Sequence, residues 1–216
     1  MADRAHVEIW SDFVCPFCFL GKRRLERAAE AEGLGLDVTW RSFELDATPA
    51  RAEPESTTAM LARKYGMSAQ QARQSQSSLA SAAAEEGIDF QWERAKPANT
   101  FDAHRLAHLA AERGLGDEVE ERFMRAFMTE GEFLSDHATL IRLATSAGLE
   151  EAEVRGVLDS DAYADAVRQD QAVARAQLQI EGVPFFLIEG RLAISGAQPR
   201  ELFREALRRA VAESKR

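Results

Sequence analysis

Apolar and polar positions alternate at both ends of the chain and recur at helical spacing between them. His6-Val7-Glu8-Ile9-Trp10-Ser11-Asp12 alternates with period two, the pattern of a strand with one face in a core. Residues 19–33 change to a helical period, and Cys18, Gly21, Leu25 and Ala28 form one inward stripe. Alternation returns over residues 36–43, with Val38, Trp40 and Ser42 set against Asp37, Thr39 and Arg41. A crossover helix between two strands of one sheet makes them parallel.

Residues 46–56 carry Pro49 and Pro54 and have the composition of a linker. From there to about residue 179 the chain is rich in Ala, Glu, Arg, Gln and Leu and predicts helix almost throughout. Ser68-Ala69-Gln70-Gln71 has the capping-box pattern. Asn99 is placed to cap a helix running to Gly114, with Asp102 at its third position. Further helices are predicted over residues 116–130, 135–148 and 161–179, and residues 88–92 are a candidate for extended chain. Strand character returns at Gly182-Val183-Pro184-Phe185-Phe186-Leu187-Ile188. Glu189-Gly190 is a tight-turn candidate, and residues 191–195 would be the second arm of a hairpin. Pro199 opens a last helix with Leu202, Phe203, Ala206, Leu207, Ala210 and Val211 on its apolar face. The pattern predicts an α/β protein in three stretches: 1–47, an all-helical 48–179, and 180–216.

Composition narrows the field of function. The 216 residues are 45% hydrophobic, enough to bury a full core without disulfides. The net charge is -9 and the basic residues are dispersed, which argues against a nucleic-acid partner or an anionic membrane. No apolar run approaches transmembrane length. Met1 to Ala5 lead straight into the first strand and leave no room for a signal peptide, so the expected location is cytoplasmic. In that compartment a disulfide would be transient and catalytic.

The two cysteines stand at Cys15 and Cys18, a C-x-x-C between a predicted strand and a predicted helix. Proline is favoured at the first position of a helix, so Pro16 takes that place and Cys15 becomes the N-cap. The Cys15 sulfur then faces unpaired backbone N–H groups and the positive end of the helix dipole, both of which favour thiolate over thiol. Cys18, one turn on, faces inward. Residues three apart in a first helical turn are close enough for a disulfide. The expected division of labour is attack by Cys15 and resolution by Cys18. Two blander readings compete. The thiols can be incidental core residues. A Cys2His2 zinc site can be drawn from His104 and His108, which share a helix face, with His6 and His137 as the other histidines. The spacing fails the zinc-finger rule, and no metal is expected.

The segments "SDFVCPFCFLGKRRLERA", "NTFDAHRLAHLA", "EGVPFFLI" and "ISGAQP" resemble the FrnE-type branch of the DsbA-like oxidoreductases. That branch is related to the 2-hydroxychromene-2-carboxylate isomerases and kappa-class glutathione transferases. The resemblance implies a thioredoxin-like fold with a large all-helical insertion domain. It implies an exposed nucleophile at Cys15, a resolving thiol at Cys18, and a cis-proline loop at Val183-Pro184 opposite Cys15. Substrate would meet Pro16, Phe17, Val183 and a nearby turn of Gly196, Ala197 and Gln198. No bound cofactor is implied; glutathione is a candidate co-substrate, and protein or small-molecule thiols and disulfides are candidate partners. A homodimer is compatible with the sequence. Phe17 stands where many DsbA proteins carry His, and Cys15 stands where the isomerase and transferase relatives use serine. A glutathione-dependent isomerase or transferase and a non-enzymatic helical binding module are the rival readings. His104 and Arg105 are assigned to a solvated or interdomain helix face rather than to the chemistry.

Overall fold

The structure, a computed structural model, describes residues 3–48 and 55–214. Met1, Ala2 and the linker prolines Pro49 and Pro54 lie outside the described residues. The order of elements is β1 (Arg4–Ser11), α1 (Pro16–Glu32), β2 (Gly35–Ser42), α2 (Thr57–Tyr65), α3 (Ala69–Glu85), α4 (Phe101–Glu112) and α5 (Gly116–Arg125). There follow α6 (His137–Ser146), α7 (Glu151–Leu158), α8 (Ala164–Ala172), β3 (Phe185–Ile188), β4 (Leu192–Ser195) and α9 (Arg200–Ser214). Single π-helical turns, Ala126–Glu130 and Val173–Gln177, continue α5 and α8.

The chain divides into two compact units, Met1–Leu45 with Asp165–Arg216, and Asp46–Ala164. The second crossing therefore falls at 164/165, not at the 179/180 expected from composition. Hydrogen bonds explain the difference. Asp170 accepts from the Ser42 backbone N–H at 2.9 Å and from Arg41 at 3.4 Å, and its carbonyl accepts from Trp10 Nε1 at 3.2 Å. Gln171 donates to Glu44 at 2.9 Å. Helical composition extends across both sides of this crossing, so it carries no signal of the change.

The first unit is a four-stranded sheet of order β2-β1-β3-β4. β1 and β2 are parallel, with Arg4 opposite Gly35 and Ser11 opposite Ser42. β3 is antiparallel to β1, with Ile9 opposite Phe186, and β4 is antiparallel to β3. Period-two alternation places Ala5, Val7 and Ile9 of β1 in one core with Leu25, Ala28 and Ala29 of α1. Phe186, Ile188, Ile194, Phe203, Leu207 and Ala210 complete that core. The rings of Phe186 and Phe203 meet edge to face at 4.9 Å between centroids. Leu202 departs from the predicted apolar face of α9: it is exposed. α1 ends at Gly33 in the left-handed region, φ 66°, a conformation with no steric cost for glycine.

The second unit is helical. The capping box forms as its sequence predicts: Gln71 N donates to Ser68 Oγ and Ser68 N donates to Gln71 Oε1. The cap of α4 shifts by one residue to Thr100, while the Asn99 side chain accepts from Phe101 N at 3.1 Å. Residues 88–92 form no strand. Their polar groups bond to the π turn instead, Gln91 N to the Met128 carbonyl at 2.8 Å and Thr129 Oγ1 to the Asp89 carbonyl at 2.7 Å.

Candidate functional site

The first turn of α1 is held by backbone and carboxylate bonds before any side-chain chemistry is considered. Cys15 is the N-cap and Pro16 the first helical residue. Cys15 N donates to the Asp12 carbonyl at 3.1 Å, and Cys18 N donates to the Cys15 carbonyl at 2.9 Å. The Asp12 carboxylate is buried. It accepts from Leu45 N at 2.7 Å and from Val14 N at 3.5 Å, which fixes the β1–α1 loop to the chain after β2.

Both cysteines are free thiols, and they approach to 3.4 Å. The expected exposure of Cys15 is corrected: it is 5% exposed, against 2% for Cys18. The physical reason is the loop before β3, where the Val183 carbonyl accepts from the Cys15 Sγ at 3.5 Å. Phe17, between the two, is half exposed. Burial pushes the Cys18 thiol well above its ordinary pKa range, because the charged form loses its hydration. Its hydrogen bond to Cys15 and the charge there push the same way, while the Asp12 backbone N–H and the Ser11 hydroxyl act in the opposite direction. Cys18 therefore keeps its proton.

The Val183–Pro184 bond is cis, and both residues are buried. The Pro184 carbonyl accepts from Gly196 N at 2.8 Å, which ties this loop to the turn after β4. In that turn Arg24 of α1 donates to the Ala197 carbonyl at 2.6 Å, and Gln198 Nε2 donates to the Ser195 carbonyl at 2.8 Å. A Cβ on Gly21 would lie 2.8 Å from Phe186 Cζ and 3.0 Å from Pro184 Cγ. Only glycine lets α1 seat this closely on the start of β3. The structure therefore gathers Cys15, Pro16, Phe17, Cys18, Val183 and Pro184, with Gly196, Ala197 and Gln198 joined through one backbone bond. Sequence reasoning missed the parts played by Asp12 and Arg24. An acidic residue at the end of a strand, just before C-x-x-C, was the available signal for the first.

His104 and Arg105 lie in the second unit, and of the solvated or interdomain face expected for them the solvated alternative is corrected. They are 2% and 5% exposed. Arg105 donates to the Ala162 carbonyl at 2.8 Å, to Asp102 at 2.7 Å, and to the carbonyls of Val157 and Ser160. A guanidinium has donors enough to gather these groups, and a lysine does not. His108 stacks on Tyr163, and His137 bonds Asp102 at 2.9 Å. Among the described residues no group of three or more His, Cys, Asp or Glu is placed to hold a metal. Nor is any helix among them long and apolar enough to cross a membrane.

Known proteins are similar to this chain in sequence and in fold. Residues 6–208 match the model of the DSBA-like thioredoxin domain. The chain is 30% identical over 204 residues to the uncharacterised protein YwbO of Bacillus subtilis, covering 94% of this chain and 95% of that one. It is 42% identical to a probable DsbA oxidoreductase, SCO1869, of Streptomyces coelicolor. That structure superposes with a TM-score of 0.90 over 97% of this chain and 91% of its own. The cytosolic disulfide reductase DsbM of Pseudomonas aeruginosa, solved with GSH, shares the fold at 19% identity and a TM-score of 0.62, over 96% of this chain and 99% of that one. On these matches, this chain belongs to the DsbA-like thioredoxin-domain family, and its fold is thioredoxin-like with a helical insertion.

Proposed function

We propose that the protein is a thiol–disulfide oxidoreductase of the FrnE type, with Cys15 as the attacking thiol and Cys18 as the resolving one. The observation that carries the reading is the 3.4 Å approach of two free thiols at the first turn of α1. Cys15 occupies the helix N-cap, at the positive end of the α1 dipole. Burial keeps Cys18 protonated until it is needed.

In the reducing direction the Cys15 thiolate attacks one sulfur of a substrate disulfide. The substrate S–S bond breaks, a mixed disulfide forms, and the departing thiolate takes up a proton. Cys18 then loses its proton and attacks the Cys15 sulfur, which breaks the mixed disulfide and releases the second substrate thiolate. The substrate gains two electrons and the protein ends as the Cys15–Cys18 disulfide. Two equivalents of a thiol such as glutathione return it to the dithiol. Formation of the Cys15 thiolate also frees the Val183 carbonyl, which then accepts a backbone N–H from an extended substrate.

The substrate surface is Pro16, the exposed ring of Phe17, the Val183 backbone, and the turn of Gly196, Ala197 and Gln198. Protein disulfides and glutathione mixed disulfides both fit its chemistry. The glutathione in the DsbM structure supports glutathione as co-substrate. The site of action is the cytoplasm, where such a pair rests reduced. Cysteine at position 15, with a second thiol within reach, favours this chemistry over the isomerase and transferase reaction. The test is trapping. A Cys18→Ala variant mixed with insulin or oxidised glutathione accumulates a mixed disulfide at Cys15, located by peptide mass. Absence of any adduct, or equal adduct formation at Cys18 in a Cys15→Ala variant, overturns the assignment.

A further inference from the structure

We propose that the Ser11 hydroxyl is a hydrogen-bond donor that stabilises the Cys18 thiolate while Cys18 resolves the mixed disulfide. The inference deepens the function proposed above and rests on it. Ser11 is the last residue of β1. Ala5, Val7 and Ile9 alternate onto the face of the sheet that packs against α1, and Ser11 is the next position in that series. The three earlier positions are apolar, so a hydroxyl here departs from the pattern. It follows the Trp10–Phe185 pair and so falls beside Pro184, the residue that Gly21, one turn after Cys18, packs against. Ser11 is 2% exposed, and its buried Oγ makes no hydrogen bond of full geometry, only a weaker approach to the Cys18 sulfur. Native structures leave few buried polar atoms in that state, and each asks for a reason.

The adjacent sulfur supplies the reason. In the resting dithiol Cys18 keeps its proton, and its interaction with Cys15 outweighs those with the Asp12 N–H and the Ser11 hydroxyl. A neutral thiol is a weak acceptor, so the Ser11 hydroxyl gains little from it. In the mixed disulfide the Cys15 sulfur is bonded to substrate and carries no charge. Cys18 must then become a thiolate in a buried setting that opposes charge. The Ser11 hydroxyl and the Asp12 backbone N–H are the two donors at that sulfur that favour its thiolate. Cys18 gives up its proton, which the second substrate thiolate takes up as it leaves. Its sulfur bonds to the Cys15 sulfur, and the Cys15–substrate bond breaks. Ser11 keeps its own proton throughout; it lends a hydrogen bond to an anion that exists only during this step, which is where such a bond accelerates a reaction.

The test uses the full chain with Cys15→Ser, so that Cys18 titrates alone, and reads its thiolate by ultraviolet absorbance against pH. Ser11→Ala raises the titration midpoint by about one pH unit, the shift expected for one charge-assisted hydrogen bond. Ser11→Thr and Ser11→Val share a shape and differ only in the hydroxyl. The threonine variant keeps the parent midpoint and the valine variant follows alanine. In the chain with both cysteines, glutathione release from the Cys15 mixed disulfide slows about tenfold in Ser11→Val relative to Ser11→Thr. Equal midpoints in the Thr and Val variants overturn the role of Ser11. A parent protein that never forms the mixed disulfide overturns the function proposed above instead, and the Cys18 titration still decides the role of Ser11.

Discussion

Arg105 in α4 and Cys18 in α1 are buried to a similar degree, yet their surroundings treat a polar group in opposite ways. Around Arg105, fixed acceptors converge on the guanidinium: three backbone carbonyls near the end of α7 and the Asp102 carboxylate. The arrangement has one bonding state and resists change. Around Cys18, burial opposes its charge, its proton is shared with Cys15, and the neighbouring Ser11 hydroxyl is unsatisfied. That corner has unspent hydrogen-bonding capacity, so it can hold a thiol, a thiolate or a disulfide. A saturated polar group stabilises a fold; an unsaturated one beside a reactive atom leaves room for a reaction.

The sharpest way to break this contrast is at Arg105. Arg105→Ala strands the Val157, Ser160 and Ala162 carbonyls and should cost roughly 3–5 kcal/mol. Denaturant unfolding checks it; a loss within about 0.5 kcal/mol, the range of an ordinary surface substitution, contradicts the structural role. On the other side, Gly21→Ala forces a methyl against Phe186 and Pro184 and should cost about 1–3 kcal/mol by overpacking. Disulfide exchange should slow with it, because the displaced atoms include the wall of the site. Unaltered exchange kinetics in a folded Gly21→Ala protein would remove Pro184 from that wall.

Titration sharpens the comparison further. The folded-state pKa of Cys18 is raised, so its contribution to stability is fully present below the ordinary thiol range. It is lost as pH rises from there toward the folded-state value, by up to about 1.4 kcal/mol per pH unit. The reduced protein should therefore lose more stability above pH ~9 than a Cys18→Ala variant does, and parallel curves would contradict the burial argument. The smallest expected effect is at Phe17, whose ring is half exposed and carries no charge. Phe17→His supplies a group that stabilises the Cys15 thiolate and hence the reduced form. The disulfide should become more oxidising by on the order of 30 mV, and a more negative potential counts against the argument.

Much of the first unit was legible because period two and period 3.6 separate cleanly there. Pro16 after Cys15 fixed the start of α1, and Gly33 its end. The second boundary was not legible, because α8 has the composition of the insertion while Asp170 and Gln171 bond to groups of the first unit. Depth also escaped the sequence. An N-cap is usually open to solvent, and the Val183 carbonyl that covers Cys15 comes from a distant segment. The burial of Arg105 escaped for a related reason: a charged residue on a helix reads as lying on a solvated or interdomain face unless its acceptors are seen, and here three of them are backbone carbonyls.

The central claim is that Cys15 and Cys18 act as one reversible redox pair. Equilibration in buffers of reduced and oxidised glutathione, followed by acid quench, thiol alkylation and peptide mass, tests it directly. The account predicts a single two-electron transition from two alkylated thiols to one unalkylated Cys15–Cys18 disulfide, reversed by excess reduced glutathione. Two thiols that stay alkylated at every ratio, or that carry glutathione independently without closing on each other, would contradict it.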